Sequence, residues 1–397
     1  MNDFVVGTAA NDYNIARNIT SLQHDRYRYR RERDIFSVLF PLTRKLTGRY
    51  LDFLQSSHLP VGGKSDFYHH FNCISFAKKP WVTTFEFTIP RWYGLPENLY
   101  SVGIERLTSH YCRKLIALSQ HAKKVQSLWL KEHFPEFHDP IMNKVQVVLP
   151  AQPLKVSGSF PDSLSGLSEH SHLKTSTASF TDRPLTFTLI GNDFFRKGGA
   201  AVLAAFERIE SDGLARPYRF NIISGLKIGD YATLATESDR QKTIEMIEKN
   251  ENINWYQNIP NAQVMDILRQ SDISLLPTFA DTFGYSVLEA QATGCPVVTT
   301  NIQALPEINN NSCGWVVEVP LNAYGEADMS TAQARETTSR VLEDGLVKTL
   351  SHILMHLDDA ELARKRQRCL TRIAEIHSPK RVSAQVSEIY DQVLAFI

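Results

Sequence analysis

The 397-residue chain lacks several features that would place it in a specialised class of protein. No apolar run reaches the ~18–20 residues that a membrane-spanning helix needs. The chain begins with neither a basic segment nor a long apolar one, so we expect no secretory signal and a cytoplasmic location. The five cysteines are widely spaced and odd in number, which predicts reduced thiols and no Cys-x-x-Cys metal site.

A net charge is also absent, because 43 Lys and Arg residues balance 43 Asp and Glu residues. The two signs are nevertheless unevenly distributed. Residues 1–175 hold 22 basic and 15 acidic side chains together with ten of the 13 histidines, whereas the remainder holds 21 basic and 28 acidic side chains. The basic part favours an anionic partner, such as a phosphorylated acceptor or an acidic membrane surface. A chance imbalance over a solvated surface is the alternative.

Length and patterning predict two α/β domains. The composition is that of a soluble globular protein, and the length suits two cores of roughly 150–200 residues each. In the second half, strands alternate with helices, which is typical of a parallel, doubly wound sheet. We predict strands over 185–190, 218–224, 253–256, 273–277 and 295–299, and helices over 200–209, 243–249, 262–270 and 284–293.

The first half has a less regular pattern. We predict short strands over 4–7, 79–86, 114–119 and 145–149, and a helix that places Ile15, Ile19 and Leu22 on one face. Eight serines among the 26 residues 155–180 predict an interdomain linker. The predicted domains are therefore 1–180 and 181–378, followed by a C-terminal helix over 379–397.

The most specific pattern lies at residues 276–290. A predicted strand ends at Pro277, a loop carries Asp281, Gly284 opens a helix, and Glu289 lies within that helix. The free N–H groups at a helix start attract a diphosphate, and a glycine lets the backbone approach it closely. Glu289 is then within reach of a ribose diol, and Asp281 can accept hydroxyl groups of a sugar. A capped helix followed by a core strand is the structural alternative.

This pattern resembles the signature of glycosyltransferase family 4, which has the GT-B fold. The family's spacing is roughly Glu-x-Phe-Gly-x3-Leu-Glu-Ala-x-Ala-x-Gly-x-Pro-Val-Val, and only the first acid departs here, as Asp281. The resemblance implies two Rossmann-like, doubly wound domains facing a central cleft, with the C-terminal helix crossing back to the N-terminal domain. It implies a catalytic-site role for Asp281 and a donor-binding role for Thr282, Phe283, Gly284, Tyr285, Ser286 and Glu289.

A second pattern occupies residues 191–199, between a predicted strand and a predicted helix. It is similar to the family's Gly-Arg-x4-Lys-Gly, with Asn192 where the arginine is usual and Arg196 able to supply the cation. The resemblance implies that Gly191 and Asn192 contact the donor, while Arg196 and Lys197 stabilise the leaving diphosphate. A solvated cationic loop is the alternative.

The resemblance is thinner in the first half. Glu86 stands where family members usually carry a catalytic-site histidine, and it would repel a diphosphate unless it were paired. We nevertheless place Glu86 in the catalytic set, and Gly7, Thr8, His69 and His70 on the acceptor side. For either histidine, a packed or surface position is the alternative.

Residues 26–33 contain five arginines with Tyr27 and Tyr29 between them. An anionic acceptor or a lipid headgroup, met through Arg28 and Arg30, is one interpretation, and a solvated helix face is the other. With zero net charge and no known nucleic-acid-binding module, we expect no nucleic-acid partner.

The resemblance implies a retaining, hexosyltransferase-type enzyme that uses a UDP- or GDP-sugar and a glycan or lipid-linked acceptor, as in the synthesis of surface polysaccharide or another glycoconjugate. It implies no metal and no cofactor, and the sequence has no Asp-x-Asp motif. We expect peripheral contact with the inner face of the cell membrane. Two alternatives stay open: an epimerase or hydrolase of the same fold, and a non-catalytic subunit that binds sugar nucleotides.

Overall fold

The computed structural model describes residues 4–9, 13–48, 51–156, 183–213, 216–229 and 232–395, with only the backbone of Glu97. By its internal contacts the chain divides into two compact units. The first unit is Met1–Ala151 with Ile376–Ile397, and the second is Gln152–Glu375. Most of the predicted linker, 155–180, lies outside the described residues.

The elements follow one another in chain order. The strands are β1 (Phe4–Thr8), β2 (Tyr27–Arg31), β3 (Ser57–His58), β4 (Phe67–Phe71), β5 (Ile74–Ser75), β6 (Trp81–Phe85), β7 (Cys112–Ala117), β8 (Val145–Val147), β9 (Leu185–Ile190), β10 (Tyr218–Ile223), β11 (Ile253–Tyr256), β12 (Ile273–Leu276), β13 (Val297–Thr300) and β14 (Gly314–Val317). The α-helices are α1 (Tyr13–Ile15), α2 (Ile35–Thr47), α3 (Asp52–Gln55), α4 (Glu97–Thr108), α5 (Gln120–His133), α6 (His138–Met142), α7 (Gly199–Ser211), α8 (Glu237–Lys249), α9 (Asn261–Gln270), α10 (Tyr285–Ala292), α11 (Leu305–Ile308), α12 (Ala332–His356), α13 (Asp359–Ile376) and α14 (Pro379–Leu394). A π-helical turn, Ala16–Thr20, and a 3-10 turn, Pro135–Phe137, complete the described elements.

The first unit contains a six-stranded parallel sheet in the order β2-β1-β4-β6-β7-β8, and a small parallel pair, β3-β5. Helix α14 covers one face of the large sheet. Pro379 at its first position and the Ser378 cap fix its start. Its buried residues Val386 and Tyr390 pack with Phe67 of the sheet in one apolar cluster. The C-terminal helix is therefore part of the first unit's core.

The second unit contains a six-stranded parallel sheet in the order β11-β10-β9-β12-β13-β14. Its predicted strands and helices are present, with some ends displaced. Helix α8 begins at Glu237, before the predicted residue 243, because a capping box closes its first turn. There Asp239 N donates to Thr236 Oγ1 at 3.3 Å and Thr236 N donates to Asp239 Oδ2 at 2.8 Å.

The arginine-rich segment is a strand, so its interpretation as a helix face is wrong. Residues Tyr27–Arg31 form β2, at the edge of the first sheet. Successive side chains of a strand point to opposite faces, and tyrosine alternates with arginine here. Tyr27 and Tyr29 therefore turn towards α14 while Arg28 and Arg30 point to solvent. The tyrosine hydroxyl of residue 29 lies 3.1 Å from that of Tyr390. The arginines are thereby presented as a row on an exposed edge.

Within the described ranges, the helices are too short or too polar for any of them to cross a bilayer.

Candidate functional site

The second sheet reverses its order between β9 and β12. From β9 the chain proceeds through β10 to β11 on one side, and β12, β13 and β14 then follow on the other side. Ligands of open α/β sheets bind at such a reversal, beyond the carboxyl ends of the strands. The loops that leave this edge are residues 191–198 after β9 and 277–284 after β12. Both sequence motifs therefore lie at the one place where this topology favours a ligand.

Hydrogen bonds join the two loops directly. The carbonyl oxygen of Arg196 accepts from Phe279 N at 2.9 Å and from Thr278 Oγ1 at 2.9 Å. Thr300, at the end of β13, donates from its hydroxyl to the carbonyl of Thr278 at 2.7 Å. The edge of three adjacent strands thus fixes the relative positions of the cationic and acidic loops.

Gly198 allows this close approach. Its φ is +79°, and a Cβ placed on it would overlap the carbonyl oxygen of Pro277. Both the left-handed backbone and the contact exclude a side chain. The contact between the two loops therefore requires a glycine at position 198, independently of any contact with a ligand.

We expect Gly198→Ala to lower the free energy of unfolding by about 3 kcal/mol or more, because strain and a backbone overlap add together. Gly213→Ala is the matched control: Gly213 has a φ of +82° and nothing within 4 Å of the added Cβ. The control should lose only about 1 kcal/mol. Denaturant unfolding of both variants measures the difference, and equal losses would show that the approach to Pro277 has no energetic importance.

An ion pair between Lys197 and Asp281 lies at the centre of the site. Lys197 Nζ donates to Asp281 Oδ2, and the two side chains are only 15% and 14% exposed. Burial by itself would raise the pKa of Asp281, but Lys197, Arg196 and the Gly284 amide outweigh it, so this pKa lies below its usual value. Stabilisation by the pair is therefore present at neutral pH and is lost only as the pH falls through the lowered value.

Arg196 is held by two partners. Its Nε donates to Asp193 Oδ2 at 2.7 Å, and its Nη1 donates to the carbonyl of Ala280. The guanidinium group thus lies beside the acidic loop, as required for a cation at this edge. Asn192, the position of the family's usual arginine, is exposed, and its carbonyl accepts from Lys227 N at 2.8 Å.

Helix α10 begins beside the ion pair. Gly284 is its N-cap residue, with φ of +89°, and Gly284 N donates to Asp281 Oδ1 at 2.9 Å. Asp281 therefore accepts from the helix start and from Lys197 with different oxygens. Thr282, Tyr285, Ser286 and Glu289 are half-buried around this start, whereas Phe283 is buried and packs against Tyr285 at a ring distance of 5.1 Å.

The sequence patterns did not mark Gln303, which supports the acidic loop, or Asp193, which holds Arg196. Gln303 Oε1 accepts from Asp281 N at 3.2 Å, and Gln303 Nε2 donates to Glu326 Oε1 at 3.3 Å. Gln303 is buried with a φ of +45°. No motif marks it, because its role depends on the neighbouring strand β13 bringing it to Asp281. Asp193, the partner of Arg196, was likewise not selected.

In the first unit, Glu86 follows β6 and is paired. Arg91 Nη1 lies 2.8 Å from Glu86 Oε1, and Asn72 donates to the same oxygen at 3.2 Å. Burial by itself would lower the pKa of Arg91, but the Glu86 carboxylate raises it above its usual value. The pairing neutralises the negative charge that would otherwise repel a phosphate.

The prediction that His69 and His70 lie on the acceptor side needs correction. His69 and His70 are 1% and 0% exposed, so no acceptor reaches them on the surface. His69 Nδ1 lies 2.6 Å from Tyr390 Oη and its Nε2 lies 2.8 Å from Thr84 Oγ1. On the opposite face, the ring of His70 packs against that of His58 at a centroid distance of 3.9 Å. Burial lowers the pKa of His69 to about 3, so this packed side chain is neutral at physiological pH.

The other predicted acceptor-side residues lie on β2, the edge strand of the first sheet, and on its neighbour β1. Gly7 and Thr8 end β1 and are buried, and they pair with Arg30 and Arg31 of β2. Arg28 and Arg30 are exposed. In the described part of the chain, no group of three or more His, Cys, Asp or Glu side chains is placed to hold a metal ion.

Comparison of sequences gives a family match within the second unit. Residues 175–327, which include both loops of the site, match the model of a family described as Glycosyl transferases group 1. A 91-residue segment is 30% identical to the Uncharacterized 41.2 kDa protein in cps region of Klebsiella pneumoniae, covering 23% of this chain and 25% of that protein. A segment of 89 residues is 29% identical to D-inositol 3-phosphate glycosyltransferase of Corynebacterium glutamicum (strain R), covering 22% and 21%. The matched segments thus span about a quarter or less of these curated relatives.

Solved structures are similar over nearly the whole chain. A glycosyltransferase from Rickettsia africae ESF-5 has a TM-score of 0.59 at 13% identity and covers 99% of both chains. Anabaena HepE in complex with UDP and glucose has a TM-score of 0.53 at 12% identity, covering 98% of this chain and 91% of that one. At this identity the likeness concerns the fold, and the predicted GT-B fold class is confirmed.

Proposed function

We propose that the protein is a glycosyltransferase that moves a sugar from a UDP- or GDP-sugar to a glycan or lipid-linked acceptor. The observation that carries the proposal is the meeting of Lys197 and Arg196 with Asp281 at the start of α10. A match to the group 1 glycosyltransferase family over the same loops supports it. The Anabaena structure of the same fold contains UDP and glucose, which supports a nucleotide-sugar donor.

Each charged group has a distinct role in this proposal. The diphosphate takes Lys197 as its counter-ion and lies against the N–H groups at the start of α10. Asp281, with its carboxylate kept ionised by neighbouring cations, accepts hydroxyls of the donor sugar. Glu289, the fifth residue of α10, binds the ribose diol. Donor binding would therefore exchange the Lys197–Asp281 pair for two contacts to the substrate.

We propose a retaining, metal-independent reaction. The bond between the anomeric carbon and the diphosphate oxygen breaks, and a bond from the acceptor oxygen forms on the same face. The acceptor's proton passes to the departing phosphate. Lys197 and Arg196 stabilise the charge that develops on this phosphate, which is the usual contribution of preorganised cations. Glu86, paired with Arg91, is proposed to orient the donor sugar.

The experiment that tests the function compares donor consumption with and without candidate acceptors. Release of nucleoside diphosphate that depends on acceptor, with a glycosylated product of unchanged anomeric configuration, is the expected result. Release of free sugar alone would indicate a hydrolase, a rearranged nucleotide-sugar would indicate an epimerase, and donor binding without turnover would indicate a binding subunit. An inverted product would contradict the retaining mechanism.

We further propose that the acceptor is anionic or lipid-linked and is met at the inner face of a membrane, as in the synthesis of a surface glycan. The exposed arginine row of β2 supports an electrostatic contact, at about 1 kcal/mol per basic side chain near an anionic bilayer. Screening by salt should weaken this contact strongly.

Replacing Arg28, Arg30 and Arg31 together by serine should weaken vesicle binding and acceptor use while leaving donor binding intact. Co-sedimentation with anionic and neutral vesicles at low and high salt measures this. A control with the same loss of charge on the second unit replaces the exposed side chains of Arg219, Lys242 and Lys249. Vesicle binding that is independent of lipid charge and salt, or equal effects of the two triple variants, would contradict the proposed contact. The arginines of β2 would then be ordinary solvated side chains.

A further inference from the structure

Helix α2 carries more apolar surface than its packing uses. An amphipathic surface helix needs one apolar side, which it buries against the core. On α2 that side includes Phe36, whose ring lies 5.5 Å from that of Phe53 and 6.0 Å from that of Phe76. No residue of α2 is fully buried. The helix has a second apolar side, formed by Ile35, Val38, Leu39, Leu42 and Leu46.

The second apolar side is exposed to solvent. Val38, Leu42 and Leu46 follow one another at intervals of four residues and are 66%, 49% and 75% exposed. Of the fifteen large apolar side chains exposed in the described ranges, seven lie between residues 35 and 61. Single exposed leucines are ordinary, but such clustering marks a surface that is covered by something else.

The segment that carries this surface is mostly basic. Residues 26–45 contain seven Lys and Arg side chains and two acids, Glu32 and Asp34. Both acids are turned inwards: Glu32 accepts from the amides of Lys64 and Ser65 at 3.0 Å, and Asp34 caps α2 through Ser37 N. The arginines of β2, Arg33 and the last-turn cations Arg44 and Lys45 are exposed. The exposed charges within residues 26–45 are therefore all positive.

We propose that α2 lies in the plane of an anionic membrane, with Val38, Leu42 and Leu46 inserted among the lipid chains and the neighbouring cations on the headgroups. An apolar stripe flanked by basic side chains is the composition of an interfacial helix. A second copy of this chain fits the surface less well, because two like-charged rims would face each other. The inference deepens the proposed function and rests on it, since a lipid-linked acceptor is met at such a surface.

Val38→Gln/Leu46→Gln tests the insertion while keeping good helix-forming residues. On vesicles of equal parts phosphatidylcholine and phosphatidylglycerol, the variant should bind about tenfold or more weakly, because two apolar side chains no longer leave water. Leu234→Gln/Met355→Gln is the matched control, since these residues are 70% and 58% exposed on the second unit. It should bind as the wild type does. Equal binding by the wild type and the α2 variant would overturn the proposal.

A label at position 46 reports insertion directly. All five native cysteines are buried, so Leu46→Cys can be labelled selectively with a polarity-sensitive dye. Its emission should shift to the blue on vesicles and be quenched by lipid-borne quenchers, whereas a label at Met355→Cys should not respond. An unchanged label at 46, or a dimer in sedimentation that Val38→Gln/Leu46→Gln dissociates, would contradict membrane docking.

Calorimetry with UDP and GDP on the same samples separates this inference from the donor site. The α2 variant should bind nucleotide as the wild type does. Vesicle binding by a wild-type protein that binds neither nucleotide would overturn the proposed donor and leave the docking surface standing. Nucleotide binding without insertion of α2 would support the proposed donor and overturn the membrane docking of α2.

Discussion

Replacing Lys197 by alanine should lower turnover by about 100-fold or more, the scale found when one preorganised charge stabiliser is removed. Lys197 Nζ is held on Asp281 in a mostly buried position, where a charge acts more strongly than it does in water. Arg196→Ala should also lower turnover, because Asn192 supplies no replacement cation. Steady-state rates with a saturating donor measure both effects.

The controls separate charge from folding. Lys197→Ala leaves the Asp281 carboxylate without its main cation, so the variant also loses stability. Lys197→Met/Asp281→Asn removes both charges together and should unfold at a higher temperature than Lys197→Ala, yet remain inactive. Lys197→Arg keeps the positive charge and should retain more activity than the alanine variant. Near-normal turnover in both Lys197→Ala and Arg196→Ala would show that residues 191–198 are not the phosphate clamp.

Glu289→Ala should weaken binding of the nucleoside diphosphate by about 10- to 150-fold, the equivalent of roughly 1.5–3 kcal/mol for one hydrogen bond to a charged group. Glu289 lies one helical turn after Tyr285, on the same side of α10. Its carboxylate can accept both hydroxyls of a ribose, which an alanine cannot do. Titration calorimetry with UDP and GDP measures the loss and identifies the preferred base.

Two further variants define the origin of this loss. Glu289→Gln keeps the size of the side chain and one acceptor oxygen, so its affinity should lie between those of the wild type and Glu289→Ala. Glu318→Ala removes an exposed carboxylate from the same unit and should leave affinity unchanged. Unaltered affinity in a folded Glu289→Ala protein would exclude the ribose contact.

The two motifs of the candidate site could be found from the sequence because each consists of consecutive residues. A strand, a loop with a required glycine and a helix start each have local signals, and Gly198 and Gly284 indeed adopt left-handed backbones. The pairing of Lys197 with Asp281 was not visible, since 84 residues separate them. Only the adjacency of β9 and β12 brings these two loops together.

The first unit shows the limits of local patterns. Glu86 looked unfavourable for a phosphate site until the structure placed Arg91 2.8 Å from it. His69 and His70 looked available, but α14 covers one of them and the β3-β5 pair covers the other. Burial of a polar side chain depends on what packs over it, and that partner lies far away in the chain.

The sequence by itself therefore determined the alternation of strands and helices in the second half and the two loops of the candidate site, because short-range periodicity and glycine positions specify local backbone. The GT-B fold class followed from the resemblance of these motifs to a family signature. The tertiary structure decided which charges pair and which histidines are enclosed. It also decided that α2 buries only one of its two apolar sides. These outcomes depend on strand order and on long-range packing, which place residues together that no spacing along the chain connects.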